Sequence, residues 1–178
     1  VTLITGPTST GSGTASIGLA GGGASCSFNA SNTLFDAVAN VGVTPPAGLQ
    51  FPHGIVRLQA DNCTPGSTVT FTLTIPQPLG VNGELWKFGP SNSGAGANDT
   101  WFQFPANIAG NVITFDITDG GIGDADGVVN GVIVDPVGPT VNANLQPVPV
   151  PVFNRWGIAL MLLLMAAMAA MTFRRVKG

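Results

Sequence analysis

The chain has 178 residues, only 8% of them charged, with 25 glycines, 14 prolines, no tyrosine and one histidine. All nine acids but only two bases, Arg57 and Lys87, precede residue 150, giving that part a formal charge of −7 and arguing against a nucleic-acid partner. No sustained 3.6-residue periodicity occurs before Trp156, and abundant Thr, Ser and Asn stand where charges usually solubilise a surface, which excludes a helical bundle and predicts one all-β domain.

Strands are predicted in chain order over Gly13–Leu19, Ala24–Asn29, Gly54–Ala60, Val69–Ile75, Glu84–Phe88, Trp101–Phe104, Asn111–Ile117 and Asn130–Asp135. The sharpest is Val69–Ile75, where Val69, Phe71, Leu73 and Ile75 share one face and three threonines share the other. Ile113, Phe115 and Ile117 repeat the pattern opposite Thr114 and Asp116. Leu34 to Val41 has room for one helical turn before Gly42 and Pro45-Pro46 stop it. About eight short antiparallel strands with turns such as Thr64-Pro65-Gly66 between them predict a β-sandwich. The two cysteines, Cys26 and Cys63, are expected to pair, because two thiols and one distant histidine make a poor metal ligand set.

Chemistry is scarce along this chain. His53 sits in a Phe51-Pro52-His53-Gly54 turn, no Gly-x-Ser-x-Gly elbow is present, and Glu84 is the sole glutamate. A non-enzyme is expected, with His53 structural. Trp86, Phe88, Trp101, Phe102 and Phe104 form aromatic strand pieces that either fill the core or present a row to a glycan or protein partner. The one candidate cofactor is Ca²⁺. Asp119, Asp124, Asp126 and Asn130 are oxygen donors spaced among glycines that can turn carbonyls inward, although the match to an EF-type loop is partial; the alternative is that these side chains cap turns or face water.

The domain is expected to span residues 1–135. From Pro136 to Asn154 the alternation of Pro and Val favours polyproline II and predicts a semi-rigid stalk. Residues 155–178 then form the anchor. Trp156 to Phe173 is 18 residues without a charge, a helix of roughly 27 Å against a hydrocarbon core of about 30 Å. Arg155 precedes it and Arg174, Arg175 and Lys177 follow, so the positive-inside bias expects a cytoplasmic C-terminus and a periplasmic N-terminal domain, with Trp156 at the interface. The chain is expected to be a mature exported form, since its start lacks a secretory signal. Met161, Met165, Met168 and Met171 lie on one helical stripe, and Ala166 with Ala170 makes a small-xxx-small pair for close helix packing; the alternative is that these faces meet lipid.

Four blocks resemble a known family in its order: Phe51-Pro52-His53-Gly54; Thr64 to Leu73; Trp86-Lys87-Phe88-Gly89-Pro90; and Thr118 to Gly127 followed by Asn130 to Pro136. They look like the bacterial choice-of-anchor U domain, over about Gly11 to Pro139. The resemblance implies an exported β-type domain with no established catalysis, attached to the envelope by one of several C-terminal anchors. The tail resembles an IPTL-type C-terminal sorting signal in Pro151, Trp156 and Gly157, while Val152, Phe153, Asn154 and Arg155 depart from that pattern. A retained inner-membrane anchor is therefore expected ahead of a cleaved tail. Two functions follow. The first is an accessory or scaffolding subunit of an integral membrane assembly, of which respiratory and photosynthetic complexes are examples; the second is a sorted surface protein meeting glycans or other partners.

Overall fold

A computed structural model describes residues 1–91 and 99–143. Twelve strands occur among them: β1 (Leu3–Pro7), β2 (Thr14–Gly21), β3 (Ser27–Phe28), β4 (Leu34–Asp36), β5 (Leu49–Gln50), β6 (Ile55–Asp61), β7 (Thr68–Thr74), β8 (Gly83–Pro90), β9 (Asp99–Gln103), β10 (Asn107–Ala109), β11 (Val112–Thr118) and β12 (Ile133–Asn142). They build two antiparallel sheets. One has the order β1-β2-β7-β11-β10; the other runs β3-β6-β12-β8-β9, with β4 added on β6 and β5 on β12. The all-β, sandwich-like expectation holds, but eight strands become twelve. The additional strands, β1, β4, β5 and β10, have two to five residues each and therefore carry little periodicity of their own.

Alternation explains the core. In β7, Val69, Phe71 and Leu73 are buried between Thr68, Thr70, Thr72 and Thr74. Its partner β11 buries Ile113, Phe115 and Ile117 in register, Phe115 opposite Phe71 with ring centroids 5.5 Å apart. On the wet face Thr70 Oγ1 donates to Asp116 Oδ1 at 2.7 Å. These side chains form one cluster with Phe28, Leu58, Leu85, Ile133 and Val137 of the second sheet. Fully burying each such side chain stabilises the fold by about 1.5–3 kcal/mol. Cys26 and Cys63 are joined within this cluster, closing a separation of 37 residues; in the chain-entropy view a loop of that size is worth about 4 kcal/mol.

Two local expectations change. Where one helical turn had room over Leu34–Val41, the chain first pairs with β6 as β4 and only then makes a 3₁₀ turn at Val38–Val41. More consequentially, the sheet runs on into the segment expected to be stalk: Pro136 to Asn142 belong to β12, which pairs with β5, β6 and β8. Proline is tolerated because each one has a registered neighbour on one side only. Pro136 pairs with Arg57 just before the β8 ladder begins at Val137, and Pro139 pairs with Leu85 in the gap between the β6 and β5 ladders. Gly138 meets a different demand, since a Cβ there would lie 2.6 Å from the Phe51 ring.

The chain divides into two compact units, Val1–Gln146 and Pro147–Gly178. Among the described residues no helix is long and apolar enough to cross a membrane. The expected span, with Trp156, Arg174, Arg175, Lys177, the Met161, Met165, Met168 and Met171 stripe and the Ala166 and Ala170 pair, lies outside the described residues, as does the stalk beyond residue 143.

Candidate functional site

Asp119, Asp124, Asp126 and Asn130 occupy the loop between β11 and β12, where glycine-rich backbone leaves many N–H groups needing acceptors. Asp119, buried at the end of β11, accepts from Gly66 N at 2.7 Å, Gly131 N at 3.0 Å and Asn130 N at 3.3 Å, pinning three segments together. Asp124 is fully buried and accepts from Gly120 N at 2.8 Å and Val134 N at 3.1 Å. Asp126 accepts from Val128 N and Asn130 Nδ2, while Asn130 Oδ1 takes Val132 N. Among the described residues no group of three or more His, Cys, Asp or Glu side chains is placed to hold a metal ion. Here the carboxylates order backbone.

The same loop covers a buried ion pair. Lys87 on β8 stands on the inward side with Leu85, and Asp135 on β12 stands inward with Ile133 and Val137. The ladder pairs Lys87 with Val137, so Asp135 is its diagonal neighbour on the same face. Lys87 Nζ lies 2.6 Å from Asp135 Oδ2, both side chains 1% exposed. Nζ donates to Gly123 O at 2.7 Å and sits 4.2 Å from the centroid of the Phe104 ring. Burial pushes the Asp135 carboxyl up to about 7 against the pull of the Lys87 charge, and burial holds the Lys87 amine below its ordinary value. Burial also raises Asp124 to about 6, with Asp126 and Asp119 adding repulsion. Each group is driven towards its neutral form.

His53 is buried in the turn before β6. Its Nε2 donates to Gln77 O at 3.1 Å and its Nδ1 accepts from Ser12 Oγ at 2.8 Å, the neutral tautomer that these partners select. Thr8 and Thr10 hydroxyls crowd the same Ser12 oxygen, and Thr10 Oγ1 also donates to Pro52 O. The set clamps the β1–β2 turn to the Phe51–Gly54 turn. Burial lowers the His53 pKa.

A groove of about 500 Å³ with mixed chemistry lies on the outer face of the seven-stranded sheet. Arg57 and Gln59 of β6 and Phe88 of β8 lie along it, with Asn32, Asn40 and Asp99 at its borders. Its polar groups are tied in place: Arg57 Nε is 2.7 Å from Asp36 Oδ2, Arg57 Nη2 donates to Asn40 O, and Asn32 Nδ2 donates to Gln59 Oε1 at 2.7 Å. Of the aromatic row, Trp101 packs between Phe51 and Phe88 at 5.3 and 5.5 Å, while Phe104 faces the core.

The Lys87–Asp135 pair and the Arg57–Gln59 groove were not singled out from sequence. A signal for the first existed: Lys87 takes an inward position in an alternating strand, and it is one of two bases before residue 150. No protein-family model, curated protein or solved structure matches this chain.

Proposed function

We propose that this chain is an exported, non-catalytic binding domain held at a bacterial envelope by its C-terminal apolar segment, and that the groove beside Arg57, Gln59 and Phe88 takes a glycan or a similarly hydroxyl-rich surface ligand. The groove carries this reading. Its amides offer donors and acceptors side by side, Arg57 is a pre-oriented fork, and Phe88 is a partly exposed ring for the apolar face of a sugar. The resemblance to choice-of-anchor U domains, the negative charge and the disulfide support an extracytoplasmic setting. Titration against a panel of soluble glycans tests it. Binding that Gln59→Ala and Phe88→Ala each weaken at least tenfold is expected, and a panel with no binder, or binding untouched by both variants, removes the reading.

A second reading is the accessory subunit of an integral membrane assembly. Exposed Ile122, Val128 and Val129 on the loop between β11 and β12 favour it, together with the Trp156–Phe173 segment. It predicts stoichiometric co-purification with integral subunits from detergent-solubilised membranes.

A further inference from the structure

We propose that Lys87 and Asp135 form an intramolecular isopeptide bond, the ε-amine of Lys87 acylated by the side-chain carboxyl of Asp135, so that β8 and β12 are covalently joined inside the sandwich. The geometry points to it on four counts. The two groups are on neighbouring strands with Nζ and Oδ2 at 2.6 Å, and both are 1% exposed. The amine also donates to Gly123 O at 2.7 Å, which fixes the nitrogen beside the carboxyl. Phe104 at 4.2 Å and Phe115 at 5.9 Å wall the site with apolar rings. Finally, Gly123 is the residue that allows this packing, since a Cβ there would lie 2.7 Å from Lys87 Nζ and 2.8 Å from the Phe104 ring.

The step balances without a co-reactant. The lone pair of the neutral amine attacks the carbon of the neutral carboxylic acid and the C–N bond forms. Nitrogen gives up one proton, the carboxyl hydroxyl takes it, the C–O bond breaks and one water leaves; nothing is oxidised or reduced. In bulk water the reaction is opposed because both groups are ionised and must first be neutralised. Burial works against that ionisation here, shifting the Lys87 amine down and the Asp135 carboxyl up, each towards its neutral form. Fixed proximity supplies the effective concentration. Asp124 is wholly buried and acts electrostatically on both partners. Reversal needs water to re-enter a dry core. On the reading that the chain is tethered at its C-terminus, pulling force enters through β12, and the bond would carry it to β8; the bond itself is independent of that reading.

Mass spectrometry of the full chain, denatured and with the disulfide reduced, tests the proposal. A mass lower than the sequence by one water is expected, with proteolysis releasing a branched peptide in which the β8 segment is linked through Lys87 to Asp135. Recovery of the full sequence mass, with Lys87 and Asp135 on separate peptides, overturns it. So does a water loss that maps to a cyclic imide at Asp119-Gly120 or Asp126-Gly127, or one that persists in Lys87→Met. Should Lys87→Met not fold, the peptide map of the unaltered chain decides alone. Neither glycan binding nor membrane attachment enters the readout, so failure here is separate from failure of the proposed function.

Discussion

Gly123 shows how much one residue can carry. Its φ of +95° is a conformation that side chains disfavour, and its missing Cβ leaves the room taken by Lys87 Nζ and Phe104. Gly123→Ala should lower stability by roughly 1–3 kcal/mol, read as a lower urea midpoint. His53 and Asp124 give opposite pH dependences. The folded-state pKa of His53 lies below 6.5, so the unfolded chain binds the extra proton and the His53 contribution, full above 6.5, declines as pH falls from there through the folded value. Asp124 rises from 3.8 to about 6, so the folded chain holds the extra proton and its contribution, full below 3.8, is lost as pH rises through about 6. Urea midpoints measured across this range should show a smaller acid-side decline in His53→Gln and a smaller decline towards neutral pH in Asp124→Asn, where Asp135, raised to about 7, still contributes.

Strand β12 is the element on which the second sheet depends. It pairs with β5, β6 and β8, and beyond the Val137–Lys87 end of the ladder with β8 its Val134 is met instead by the loop, Ala125 N donating to Val134 O and Asp124 Oδ1 accepting from Val134 N. A chain ended at residue 135 should therefore fail to fold, whereas one ended at residue 146 should keep a cooperative melting transition, as circular dichroism would report. The disulfide acts at the same scale. It ties the start of β3 to the turn after β6, and replacing both cysteines by alanine should cost about 2–5 kcal/mol in denaturant unfolding.

At the scale of the molecule, a domain with few charges is held by one shared core between two sheets. On the proposed envelope anchoring, deleting residues 147–178 should move the protein from the membrane fraction to the soluble fraction without altering the melting transition of the remainder, measured by fractionation and calorimetry. Much of this architecture was legible in the chain. β7 and β11 were visible because period-2 alternation is local, and it held at Phe71 and Phe115. β12 was read short because Pro136 and Pro139 resemble a linker until the one-sided neighbours of each are known. The Asp119–Asn130 loop was legible as a dense set of oxygen donors, but ligand and cap use the same atoms, and only the positions of Gly66, Gly131 and Val134 show which backbone groups they serve.

The sequence by itself determined the β class, the inward faces of the long strands, the pairing of its only two cysteines, and the apolar run near its C-terminal end. Each is a property of composition, of count or of a period of two, so neighbouring residues suffice to state it. Tertiary structure alone decided the order of strands in the sheets, the extent of β12, the outer groove and the meeting of Lys87 with Asp135. Those depend on contacts between distant segments, where a single inward lysine has a meaning only once the strand beside it, and the side chain that strand brings, are known.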